Sequence, residues 1–120
     1  MYFERCNIFE LDTERVCAHG GVGQIDFKRI ADTAQTQGPC NFIDVATLPP
    51  GASIGRHTHA PDEEEFYLIV RGTGQMWRDG ERFSVEPGDF IRNGAGGSHG
   101  LENTGTEPLT IFVFELKVIP

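Results

Sequence analysis

The 120-residue sequence predicts an all-β chain folded as a sandwich or an antiparallel jelly-roll barrel, and three observations carry that expectation. Its 15 glycines and 7 prolines suit a turn-rich chain, because both residues punctuate short strands better than they serve helix interiors. Apolar and polar residues alternate in several stretches, the period-two signature of strands with one buried face. Those stretches are short and closely spaced, with glycine-containing turns between them in place of helical segments.

Taken in order, residues 1–20 are expected to form an arm packed on a single barrel domain that spans 21–120. Residues 24–30 and 41–48 read as extended, and only 27–37 suit a short helical turn. Leu48-Pro49-Pro50-Gly51 reverses the chain. Residues 66–70 make the strongest buried strand, dense in β-forming side chains and stopped at Gly72-Thr73-Gly74. Residues 75–78 and 81–85 flank Asp79-Gly80, a two-residue hairpin turn. Pro87-Gly88-Asp89 leads into a short strand at 90–91, residues 93–97 form a glycine-rich loop, and 99–103 extend again. The stretch 109–119 closes the chain as a long β-rich segment, which can pair with a second copy along an open sheet edge.

A mass of 13.3 kDa fits one domain. The formal charge of −8 and pI near 4.8 disfavour nonspecific binding to nucleic acid or anionic membrane, both of which need a cationic surface. The three cysteines, Cys6, Cys17 and Cys40, are odd in number and lack paired C-x-x-C spacing, so a zinc ribbon or a secreted disulfide framework is not expected. The acidic start at Glu4 departs from the basic, then apolar, pattern of a signal peptide. No apolar stretch approaches the roughly 20 residues that span a bilayer. A soluble cytoplasmic protein is the expectation.

The sharpest chemical feature is His57-Thr58-His59, a pair that period two places on one strand face. Two neutral imidazoles on an inner wall, with a carboxylate from the next strand, suit a divalent metal ion. Within Asp62-Glu63-Glu64-Glu65, Glu65 shares its face with Tyr67 and Ile69, and Glu63 is the alternative of the same parity. His99 is the remaining downstream histidine. His19, in His19-Gly20-Gly21-Val22-Gly23, either closes the barrel mouth over a ligand or sits exposed on a flexible arm.

Gly51, His57, His59, Glu65 and Gly72 together resemble the first motif of the cupin superfamily. The run from Gly80 through Pro87-Gly88-Asp89 to Gly96, His99 and Asn103 is similar to the second motif. Two departures stand out: five residues separate His59 from Glu65, one more than usual, and Gly94 occupies a position usually held by proline. The resemblance implies a small single-domain cupin, an antiparallel double-stranded β-helix with one divalent ion (iron, manganese, nickel, cobalt or zinc) held by His57, His59, Glu65 and His99. It implies chemistry on a small oxygen-bearing organic molecule, with a dioxygenase-type oxidoreductase favoured. The alternatives are a metal-dependent isomerase, cyclase or lyase of a sugar or organic acid, and a non-enzymatic small-molecule or carbohydrate-binding protein. Tyr67, inward with Glu65, is the candidate catalytic donor. Arg56 faces away from the pocket by parity, Trp77 packs, and Phe42, Phe90, Ile91, Phe112 and Phe114 line the barrel or a dimer surface. A homodimer is expected.

Overall fold

Ten strands and no helix make up residues 4–119, the part of the chain described by the computed structural model. Met1 to Phe3 of the expected arm and Pro120 lie outside the described residues. The strands are β1 (Glu14–Val16), β2 (Ile25–Asp32), β3 (Cys40–Leu48), β4 (Ser53–Thr58), β5 (Glu63–Arg71), β6 (Gly74–Arg78), β7 (Glu81–Val85), β8 (Phe90–Asn93), β9 (Ser98–Glu102) and β10 (Leu109–Lys117). They form a six-stranded sheet, ordered β1-β2-β3-β10-β5-β8, and a four-stranded sheet, ordered β4-β9-β6-β7. Every pairing is antiparallel. Among the described residues no helix is long and apolar enough to cross a membrane.

Alternation along these strands builds the core. Leu48, Ile69, Met76, Leu109 and Ile111 are fully buried between the sheets, each contributing about 1.5–3 kcal/mol through removal from water. On β10, Ile111, Val113 and Glu115 face inward, while Phe112 and Phe114 alternate to the less buried face. At the tip of the β6–β7 hairpin both Asp79 (φ 48°) and Gly80 (φ 83°) occupy the left-handed region that a type I′ turn requires. At Gly72 (φ 83°) a Cβ would stand 2.2 Å from the Pro108 carbonyl oxygen, so only glycine fits where β5 turns under the loop before β10. The motif residue Asn103 is structural: its buried amide donates to the Leu48 and Glu107 carbonyls and its oxygen accepts from the Gly105 N–H.

Two expectations are corrected. The segment 27–37, expected to suit a short helical turn, is strand through Asp32 and then a tight turn, closed by the Gln35 and Thr36 N–H groups on the Asp32 carbonyl. Strand β10 is no open edge, because β3 and β5 flank it on both sides and consume its backbone hydrogen bonds.

The chain before β2 is tied to the barrel mouth. β1 pairs with β2, and a strap at 18–22 is stitched to β4 by Gly55 N–H to the Ala18 carbonyl, Ser53 N–H to the Val22 carbonyl, and Val22 N–H to Ser53 Oγ. At this point β4 bulges between Ile54 and His57 in its pairing with β9. Without the bulge, two positions an odd number apart would face opposite ways. With it, Ile54 joins the core and His57 also lines the interior cavity.

Candidate metal centre

The four-stranded sheet supplies His57 and His99, which are direct register partners on β4 and β9, and His59 follows just beyond β4. The His59 N–H donates to the Gly97 carbonyl, which holds this extension beside β9. The six-stranded sheet supplies Glu65 from β5. The extra residue between His59 and Glu65 is absorbed by a turn, in which the Glu63 N–H meets the Ala60 carbonyl and the Ala60 N–H meets Glu63 Oε1. Gly94, in place of proline, leaves the following loop closed by the Gly97 N–H on the Gly94 carbonyl and the Gly96 N–H on the Ala60 carbonyl.

These elements bring His57, His59, Glu65 and His99 together, with one potential ligand atom from each lying within 4.8 Å of the others. The imidazole centroids are 5.0 Å apart for His57 and His59, 4.5 Å for His57 and His99, and 4.9 Å for His59 and His99. Glu65 Oε1 lies 3.0 Å from His99 Nε2 and 3.6 Å from His59 Nε2. Glu63 falls instead into a second grouping with His59 and Glu115.

The donor set fits a divalent cation on three grounds. First, His59 Nε2 is buried with no hydrogen-bond partner, and a buried nitrogen lone pair is costly unless something occupies it. Second, Glu65 and Glu115 stand directly opposite each other across β5 and β10, both buried, an arrangement of like charges that repels unless a cation or imidazole intervenes. Third, His57 donates from Nδ1 to the Gly55 carbonyl at 2.8 Å, leaving Nε2 as the accepting nitrogen. Burial, opposed by that hydrogen bond and reinforced by the neighbouring imidazoles, holds the His57 pKa down at about 4, so the ring is neutral at pH 7. This cluster can hold one divalent metal ion.

Around it stand residues that the sequence reading left open or did not single out. Glu115 Oε1 is 2.9 Å from His59 Nδ1, and its other oxygen accepts from the Asn41 amide. A proton placed on His59 Nδ1, the nitrogen beside this carboxylate, leaves Nε2 free toward Glu65. Burial, set against the Asn41 hydrogen bond and helped by Glu63 and Glu65, raises the Glu115 pKa. The signal for Glu115 was its parity with Ile111 and Val113. His19 lies flat on His57, with centroids 3.6 Å apart and planes 8° from parallel, and lines the cavity. Its φ of 51° is a left-handed conformation, which the strap's hydrogen bonds hold. Burial lowers its pKa, partly countered by Glu65.

Tyr67 is buried beside the cluster, its ring edge-on to His99 at 5.4 Å. Burial, together with the charge and hydrogen bond of Glu65, raises its pKa well above 10, so the phenol stays protonated. Arg56 stacks over Trp77 at 4.2 Å and neither lines the cavity. Phe42 lines the cavity, whereas Phe90 is exposed. The cavity itself has a volume of about 630 Å³ and runs from the His–Glu cluster toward β1, β2 and β3.

Comparison with known proteins agrees with this architecture. The profile of the family described as Cupin domain matches residues 44–115, a span that contains all four clustered residues. A protein of Thermotoga maritima named oxalate-binding protein is 31% identical over 101 residues, which cover 83% of each chain. The crystal structure of a Thermotoga maritima protein described as a predicted oxalate decarboxylase superimposes with a TM-score of 0.88 at 27% identity, over 93% of this chain and 97% of that one. KdgF from a Halomonas species shares the fold, with a TM-score of 0.69 at 22% identity over 91% of both chains.

Proposed function

We propose that this chain, which belongs to the cupin family, uses His57, His59, Glu65 and His99 to hold one divalent metal ion that captures a small organic acid through its oxygen atoms. The observation that carries this reading is the convergence of three imidazoles and one carboxylate, with His57, His59 and Glu65 on the wall of a cavity, His99 buried behind them, and His59 Nε2 buried without a hydrogen bond among the described residues. The likeness to a protein named for oxalate binding supports an acid as the ligand. When bound, a redox-active ion such as iron, manganese, cobalt or nickel would supply dioxygen-dependent chemistry of the dioxygenase type, and zinc would supply Lewis-acid chemistry suited to isomerisation or lyase reactions.

The chain's own residues have definite parts in this proposal. His57 and His59 enter as neutral ligands, oriented by the Gly55 carbonyl and by Glu115. Tyr67, which burial and Glu65 keep protonated, offers its proton as a hydrogen bond to bound acid. A binding role without turnover is the second reading, supported by the name of the same relative.

Elemental analysis of protein purified without added metal, followed by oxygen uptake in the presence of organic acids, tests the proposal. About one transition metal per chain and acid-dependent oxygen consumption support the dioxygenase reading. Metal and acid binding without oxygen uptake or product support the binding role. Full metal occupancy in both His57→Ala and His99→Ala would overturn the assigned site.

A further inference from the structure

We infer that the acid this cavity accepts carries one carboxylate head and an apolar body, an aromatic or branched alkyl group, in preference to a bare or doubly charged short acid. The inference rests on the metal-binding reading above and concerns the rest of the cavity. A volume of about 630 Å³ is that of pockets enclosing ligands far larger than a two-carbon diacid. Away from the His–Glu cluster the walls are Val16 and Ala18 from the arm, Ile25 and Phe27 from β2, and Phe42 and Ala46 from β3. All six are apolar, and contact with them rewards a hydrocarbon body.

A second carboxylate would have to compete with Asp44 for the single cation of the lining. Arg29 is the only lysine or arginine among the described residues of the lining. Its Nε and Nη2 are already bound to Asp44 at 2.9 and 3.0 Å, and its guanidinium sits 4.4 Å from the Phe42 ring centroid and 5.7 Å from that of Phe27. Asp44 is buried, so taking Arg29 from it would strand a carboxylate without its partner. The other carboxylates of the lining, Glu63, Glu65 and Glu115, lie around His59 and add negative charge to the cavity, which disfavours a doubly charged ligand. A half-exposed guanidinium that Asp44 already neutralises and two rings flank offers a flat surface for a hydrophobic group.

The test uses cobalt(II)-loaded protein, whose visible spectrum reports occupation of the metal, titrated with pyruvate, 2-oxoglutarate, oxalate and phenylpyruvate. Phenylpyruvate is expected to bind at least tenfold more tightly than pyruvate, with 2-oxoglutarate no tighter than pyruvate. Phe42→Ala, with Phe42→Leu as the milder variant, should weaken phenylpyruvate at least fivefold and leave pyruvate within twofold. Tightest binding by oxalate or 2-oxoglutarate, or equal binding of pyruvate and phenylpyruvate, would overturn the inference while leaving the metal centre standing. Failure to take up cobalt would overturn the metal-binding reading itself.

Discussion

The closest backbone approach at the barrel mouth makes Gly55→Ala a severe change for a single methyl group. A Cβ on Gly55 would stand 2.0 Å from the His19 carbonyl oxygen and 2.9 Å from the Gly21 nitrogen, whereas ordinary contacts begin near 3.4 Å. Gly55 is not in the left-handed region, so alanine meets no backbone strain of its own. The strap at 18–22 must therefore retreat by roughly 1.4 Å, the difference between 3.4 and 2.0 Å. Overpacking of this kind costs about 1–3 kcal/mol, and the bond from the Gly55 N–H to the Ala18 carbonyl, at 3.0 Å, adds about 1 kcal/mol if it breaks. The sum, about 2–4 kcal/mol, lowers Tm by roughly 8–20 °C in a domain of this size. Retreat also lifts His19 off His57. Urea and thermal unfolding followed by circular dichroism measure the loss against Gly38→Ala, where a Cβ meets nothing within 4 Å. That control should be neutral or gain up to about 1 kcal/mol through a stiffer unfolded chain. Equal stability of the two variants would refute the rigid strap.

Other consequences follow from the same geometry. In metal-free protein, His57 with a folded pKa of about 4 resists protonation that the unfolded chain accepts near 6.5, so its contribution is intact above pH 6.5 and is lost as pH falls toward 4. The raised carboxyls of Asp44 and Glu115 act with the opposite sign, so the comparison is with His57→Asn, which should show a shallower loss of urea stability between pH 6.5 and 4.5; identical slopes count against it. Glu115→Gln should keep the fold and weaken metal affinity about 10–100-fold in a chelator competition, because His59 loses the carboxylate that fixes its tautomer. We also propose that a second copy covers the aromatic face where Phe66 stacks on Phe90 and Phe114 at 5.7 and 4.9 Å. Sedimentation should show a dimer that Phe90→Glu dissociates; a monomeric wild-type chain at tens of micromolar contradicts the pairing.

Much of this was legible in the sequence because strands declare themselves by alternation. The hairpin at Asp79-Gly80 and the buried run around Tyr67 follow from turn chemistry and period two, and the spacing of His57, His59, Glu65 and His99 follows two motifs. Strand order is a different matter. The long β10 reads as an available edge, but its neighbours β3 and β5 come from distant parts of the chain, and alternation carries no information about partners. The bulge in β4 was also hidden: strict parity from Ile54 predicts His57 on the outside, and only pairing with β9 reveals the extra residue. Glu115 and Asp44 escaped notice because a charged residue within an apolar run looks like its solvent-facing half, yet both occupy buried positions and meet His59 and Arg29.

The central claim, one divalent ion shared by four side chains from both sheets, is tested most directly by anomalous diffraction at the cobalt or zinc edge from crystals of metal-loaded protein. One peak is predicted among His57, His59, Glu65 and His99, with bonds of about 2.0–2.3 Å. A peak confined to His59, Glu63 and Glu115, or no peak in protein that carries stoichiometric metal in solution, would contradict it.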